Sequence, residues 1–158
     1  MHVAQIMTKP AECCEATDSL ERAAQLMWEK DCGCVPVCAP GDEQRRPIGV
    51  LTDRDICMCA LFKHQALSEL AVADAMARQV LACQPQDRID EVEAAMRRAR
   101  IRRVPVLDDR GSLMGMVSLA DLARNAAREG PYDKPGLRAN VSHTLAAICA
   151  PPERPLEL

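Results

Sequence analysis

Apolar residues recur at helical spacing in two stretches of the chain. Leu20, Ala23, Ala24 and Met27 fall on one helical face, and Ile89, Val92 and Met96 repeat the arrangement further on. An aspartate precedes each stretch. Asp18 is placed to cap the first helix, with Glu21 as its acidic third residue, and Asp87 to cap the second. Two short strands are predicted after each helix. In the first half they are Val35-Pro36-Val37 and Pro47 to Leu51, with Gly41-Asp42-Glu43 in the turn; in the second they are Val104 to Leu107 and Leu113 to Val117, joined through Asp108-Asp109-Arg110-Gly111. The proline inside each Val-Pro-Val points to a strand edge or start. A further helix is predicted after Thr52 and after Ser118, and a short strand before each first helix, near residues 11–15 and 80–83.

The two halves are copies of one unit. Sliding the chain by 69 positions lays Val3-Ala4-Gln5-Ile6-Met7 on Val72-Ala73-Asp74-Ala75-Met76, Cys14 on Cys83, Asp18 on Asp87, Met27 on Met96, and one Val-Pro-Val on the other. Nine of 35 ungapped positions are identical. After a loop three residues shorter in the second copy, Gly49-Val50-Leu51-Thr52 falls on Gly115-Met116-Val117-Ser118, and Asp55 on Asp121. The expected architecture is α+β: two pseudo-symmetric repeats, each β-α-β-β-α, packed through their sheets. Residues 1–60 form the first repeat, 61–71 a partly helical linker and 72–128 the second. So short a unit buries too little surface to stand alone, so the copies are expected to share one core. Residues 129–158 read as a proline-containing tail with a possible short helix over 141–148, where Val141, Leu145 and Ile148 share a side.

Composition narrows the function classes. The 158 residues include one Trp, one Tyr and one Phe, so the core is aliphatic and there is no aromatic platform for stacking nucleic-acid bases. The net charge of −3 argues against a generic polyanion binder, and no nucleic-acid partner is expected. Arg outnumbers Lys sixteen to four, which suits bidentate recognition of phosphate or carboxylate but equally fits compositional bias. With no bilayer-length apolar run and no apolar signal core at Met1 to Glu15, the expectation is a cytoplasmic chain without membrane association. Its nine cysteines are then expected to stay reduced.

Chemistry-bearing patterns are sparse. Thr52-Asp53-Arg54-Asp55 and Ser118-Leu119-Ala120-Asp121 each have the form of a capping box, whose hydroxyl and carboxylate satisfy orphan amides at a helix start. Arg97, Arg98 and Arg100 suit a helix C-terminus. The run Cys32-Gly33-Cys34 and the pair Cys57 and Cys59 lack the two-pair spacing of structural zinc, and small buried thiols are the expected reading. Cys32 aligns with the apolar Ile101. The histidines His2, His64 and His143 share no motif, and no nucleophile, metalloprotease or phosphate-loop signature occurs. No catalysis, metal site or resident cofactor is expected.

The order of these elements, a Val-x-x-x-Met segment, a helix, Val-Pro-Val and then Gly-h-h-[Ser/Thr]-x-x-Asp (h, hydrophobic), occurring twice, resembles the cystathionine-β-synthase (CBS) domain. A tandem pair resembles a Bateman module. The likeness covers residues 1–128, and Gly49 to Ile56 is similar to stand-alone bacterial pairs. It implies two sheets flanked by helices, two clefts between the repeats, adenosine-bearing ligands such as AMP, ADP, ATP, NAD or S-adenosylmethionine, and disc-like homodimers.

Carried over residue by residue, the resemblance points Asp55 and Asp121 at ribose hydroxyls, and Thr52 and Ser118 at ribose or phosphate oxygens. Arg102 and Arg103 match cleft positions that often face phosphate, whereas Gly33 and Cys34 stand at the same place in the first copy and depart from that basic pattern. Arg54 occupies a cleft position that Ala120 fills in the second copy. Val35 and Val104, with the strands around Cys14 and Cys83, are candidates for the base. Two unequal sites are expected, in a regulatory module that signals by shape change to an unknown target protein. The alternatives are an interaction protein with degenerate clefts and a metal- or redox-responsive module using the cysteines.

Overall fold

The computed structural model describes residues 1–128 and 136–149. In the first repeat β1 (Cys14–Glu15), α1 (Leu20–Glu29), β2 (Cys34–Cys38), β3 (Pro47–Thr52) and α2 (Asp53–Lys63) follow in order. The second repeat has α3 (Ile89–Ala99), β4 (Arg103–Leu107), β5 (Leu113–Ser118) and α4 (Leu119–Arg128), and a last helix, α5 (Gly136–Cys149), follows it. The first sheet runs β1-β2-β3, with β1 parallel and β3 antiparallel to β2; the second is the antiparallel pair β4-β5. The strand expected near residues 80–83 is reduced to a single parallel bridge between Cys83 and Val106. Among the described residues no helix is long and apolar enough to cross a membrane.

The caps differ from the sequence expectation. Ser19, not Asp18, is the N-cap of α1, its hydroxyl accepting from the Arg22 amide at 3.1 Å. Asp18 instead closes the preceding turn by accepting from the Glu15 amide at 2.8 Å. Arg88 stands at the N-cap of α3 without a side-chain bond, and Asp87 accepts from the Gln84 amide at 2.8 Å. A short acceptor next to two candidate amides bonds whichever its backbone angle favours, and in both copies that is the turn.

Two aliphatic cores result, and each borrows from the other copy. Leu20, Leu26, Met27, Val35, Val37 and Leu51 pack with Leu70, Val72 and Met76. Ile89, Val92, Met96, Val104, Val106 and Val117 pack with Val3 and Met7. The Val-x-x-x-Met segment that opens one repeat therefore completes the core of the other. Paired backbone bonds fix the exchange: Val50 and Ala77 bond reciprocally at 2.9 Å, and Thr8 and Met116 at 2.8 and 3.1 Å. The strands come so close here that a Cβ on Gly49 would lie 2.9 Å from the Ala77 carbonyl oxygen, and one on Gly115 2.8 Å from that of Thr8.

Helix α5 extends well beyond the two turns expected at 141–148. It packs across α3 and α4, with Ile148 in the second core and the Arg97 guanidinium donating to Thr144 Oγ1 at 3.0 Å.

Candidate functional site

The swapped segments leave a cavity of about 790 Å³ between the repeats. From the first copy Gly33, Cys34, Val50, Thr52, Asp53, Arg54 and Asp55 line it; from the second come Ala77, Gln79, Val80, Leu81, Arg100, Ile101, Arg102, Arg103 and Pro105. Seven of the expected residues thus meet in one place: Gly33, Cys34, Thr52, Arg54, Asp55, Arg102 and Arg103. A second hollow of about 620 Å³ shares Gly33, Asp53, Arg102 and Arg103 with the first and opens past Asp31, Cys32 and the exposed Trp28.

The other expected residues lie elsewhere. Val35 and Val104 are 1% exposed and belong to the two cores, so neither side chain is available to carry a base. Cys14 and Cys83 are buried likewise, and burial pushes each thiol up to about 12. Ser118 and Asp121 form the matching turn of the second repeat and line neither hollow. The cavity also contains residues that pattern reading overlooked. Gln79, Val80 and Leu81 follow the borrowed Val-x-x-x-Met segment and carry no chemical signature; the Val50–Ala77 bridge brings them in.

The first-copy turn is a complete capping box. Asp55 Oδ2 accepts from the Thr52 amide at 2.9 Å and its hydroxyl at 2.6 Å, while the Asp55 amide donates to Thr52 Oγ1 at 3.3 Å. Its other oxygen, Oδ1, accepts no hydrogen bond from a described residue, so it keeps acceptor capacity at the cavity wall. Asp121 makes the same box with Ser118, at 2.8 and 2.5 Å, but its Oδ1 is taken: Thr8 Oγ1 donates at 3.3 Å and Arg124 closes an ion pair. Two carboxylates at equivalent positions differ in what they can still bind.

The cations differ too. Arg54, Arg100, Arg102 and Arg103 line the first cavity, and among the described residues none of their guanidiniums is engaged in an ion pair or a hydrogen bond. Against them stand Asp53 and Asp55. The Asp53 carboxylate is wedged against Gly33, where a Cβ would lie 2.7 Å from its Oδ2. A small residue at position 33 lets this helix start close against β2. Burial pushes the Cys34 thiol up to about 11, with Arg103 nearby opposing the rise, so Cys34 presents a neutral wall at pH 7. The cavity therefore offers a carboxylate acceptor, a cluster of free guanidiniums and an apolar wall of Val50, Val80, Leu81, Ile101 and Pro105.

The CBS domain family model matches residues 3–60 and again 72–128. Hypoxic response protein 1 of Mycobacterium tuberculosis is 30% identical over 146 residues, covering 92% of this chain and 92% of that protein. Among solved structures, the CBS domain pair of protein MJ0100 in complex with 5′-methylthioadenosine and S-adenosyl-L-methionine superposes with a TM-score of 0.70 at 26% identity, covering 79% of this chain and 98% of that one. Hypoxic Response Protein I with two coordinated zinc ions does so with a TM-score of 0.69 at 31% identity, covering 78% and 98%. Among the described residues of this chain, no group of three or more His, Cys, Asp or Glu converges in a way that could hold a metal ion.

Proposed function

The chain belongs to the CBS domain family, and from that premise we propose that it is a regulatory module binding an adenosine-bearing ligand in the cleft on the first repeat. The carrying observation is the pairing of a carboxylate oxygen on Asp55 with four guanidiniums around one cavity, all of them unpaired among the described residues. A ribose diol supplies two donors for a carboxylate, the same chemistry that places an acidic residue on the ribose in dinucleotide folds. Phosphate needs cations set apart from that carboxylate, and Arg54, Arg102 and Arg103 supply them at the start of α2 and of β4. The apolar wall receives the base. That a related domain pair is seen with two adenosine compounds agrees with this ligand class.

Signalling follows from where the walls come from. Both repeats line the cavity, so a ligand held there changes the free energy of their contact, and it shifts conformation by its differential affinity for the two arrangements. The second carboxylate, already bonded to Thr8 and Arg124, makes the occupancy one ligand per chain.

Isothermal calorimetry with AMP, ADP, ATP, NAD and S-adenosylmethionine tests the reading on protein shown to be nucleotide-free. One of these is expected to bind at one per chain, and Asp55→Asn to weaken it by at least about tenfold, since one charged acceptor is worth about 1.5–3 kcal/mol. Absence of heat with every compound, or unchanged affinity in Asp55→Asn, would overturn it.

A further inference from the structure

The cavity on the first repeat does not end at its arginines. The second hollow, of about 620 Å³, shares Gly33, Asp53, Arg102 and Arg103 with it, so the two are continuous along these residues. Beyond them the hollow is lined by Trp28 and Asp31, at and just past the end of α1. Trp28 is 89% exposed, more than any other large apolar side chain among the described residues. Its counterpart in the second copy, 69 positions on, is Arg97, which bonds to Thr144 of the covering α5. The first repeat leaves this place uncovered and sets the chain's one tryptophan there.

Resting on the adenosine reading of the first cavity, we infer that the two hollows take the two halves of one dinucleotide: a nucleoside in the first, the pyrophosphate at Arg102 and Arg103, and the second ring on Trp28. Charge decides what lies beyond the arginines. The first cavity sets Arg54, Arg100, Arg102 and Arg103 against Asp53 and Asp55, four cations to two anions. The second hollow has only the shared Arg102 and Arg103, matched by Asp31 and Asp53. A longer phosphate chain entering it would meet carboxylates and no new cation. A pyrophosphate bridge fits instead. Each of its phosphates carries one negative charge, and two guanidiniums without a partner among the described residues stand where the hollows join.

Beyond that bridge the chemistry suits a ribose and a ring. The Asp31 carboxylate accepts no hydrogen bond from a described residue, and Asp53 uses only Oδ1, for the Arg54 amide at 2.8 Å. Ribose hydroxyls can donate to the oxygens that remain. Buried Met27 and Ile56 back the hollow, and Trp28 offers an indole face. One tryptophan makes no platform for a strand of bases, but it covers a single ring.

Calorimetry and Trp28 fluorescence test this together on the intact chain, with AMP, ADP-ribose, NAD and diadenosine pyrophosphate as probes. ADP-ribose has both phosphates and the second ribose but no second ring. At least one of the two dinucleotides is expected to bind about tenfold tighter than ADP-ribose, the scale of one ring stacked on an aromatic side chain, and to quench Trp28, which AMP leaves unquenched. In Trp28→Ala the ratio of dinucleotide to ADP-ribose affinity falls to about one, with the thermal midpoint showing that the fold is kept. If AMP binds but neither dinucleotide exceeds ADP-ribose, or the preference survives in Trp28→Ala, the second subsite is overturned and the adenosine reading stands. If none of the four binds, both fall. A ligand-free Trp28 emission that shifts to longer wavelength on dilution would give this surface to a second copy of the chain and overturn the subsite as well.

Discussion

The two repeats share a backbone plan and use it differently. Asp55 and Asp121 occupy the same position of the same capping box, yet one keeps a free oxygen beside a cavity and the other spends both oxygens inside the protein. The helices diverge in the same sense. On α1 and α2 Trp28, Leu61 and Phe62 stay exposed, whereas α5 lies over α3 and α4. Duplication supplied two equivalent capping boxes. The second is bonded further by Thr8 and Arg124, and the first keeps one carboxylate oxygen unbonded among the described residues. What separates the two turns is bonding capacity left over, not the presence of a motif.

That contrast can be broken hardest at the arginines. Replacing Arg102 and Arg103 together by Ala is expected to weaken a phosphate-bearing nucleotide by at least about 100-fold, at about 1.5–3 kcal/mol for each charged bond lost. Adenosine itself should bind as before. Equal losses for adenosine and nucleotide in calorimetry would mean that the arginines shape the cavity without meeting phosphate.

Next in size is the second carboxylate. Asp121→Ala orphans the Ser118 amide, the Thr8 hydroxyl and the Arg124 charge, and is expected to cost about 2–3 kcal/mol. In a chain of this length that lowers the melting midpoint by roughly 5–10 °C. Asp55→Ala removes little more than a cap, worth about 1 kcal/mol. Calorimetric melting of the two variants decides; a larger drop for Asp55→Ala would reverse the assignment of roles.

The smallest effect concerns α3. Glu93 is fully buried with neither carboxylate oxygen bonded, and burial raises its carboxyl to about 6. Its counterpart in the first repeat is Ala24. A folded-state value above the unfolded one means the fold binds this proton more tightly, so stability should rise by about 1–2 kcal/mol as pH falls from above 6 toward 4.5. Glu93→Gln should remove that rise in urea titrations at the two pH values. If wild type and variant keep the same pH dependence, another group is responsible.

Much of this was legible before any coordinates. The Val-Pro-Val strands bounded by turn residues and the 3.6-residue spacing in α1 and α3 mark the elements, since a helix that buries one face leaves its period in the chain. Of the seven residues that meet at the cavity, Thr52 and Asp55 are legible in Thr-x-x-Asp, whose polar groups sit at fixed local offsets; Gly33, Cys34, Arg54, Arg102 and Arg103 are reached through the family resemblance. Val35 and Val104 were misjudged for the opposite reason: strand alternation says that a side chain faces one side, but not whether that side is core or cleft. The caps moved from Asp18 to Ser19 because adjacent acceptors compete within a few tenths of a kcal/mol, below what residue identity resolves.

The sequence by itself determined the repeat, its element order and the pair of capping boxes, all of them set by contacts between residues near in the chain. Only the tertiary structure decided which copy each Val-x-x-x-Met segment serves, that Gln79 to Leu81 would share a cavity with Asp55, and that Thr8 and Arg124 would take up Asp121 Oδ1 while, among the described residues, Asp55 Oδ1 stays unbonded. Apart from the Arg124–Asp121 ion pair, which is local, these are pairings between residues distant in the chain, chosen by which close approach buries the most apolar surface and leaves the fewest backbone groups unpaired. Neither copy encodes that choice alone, since it belongs to the fit between them.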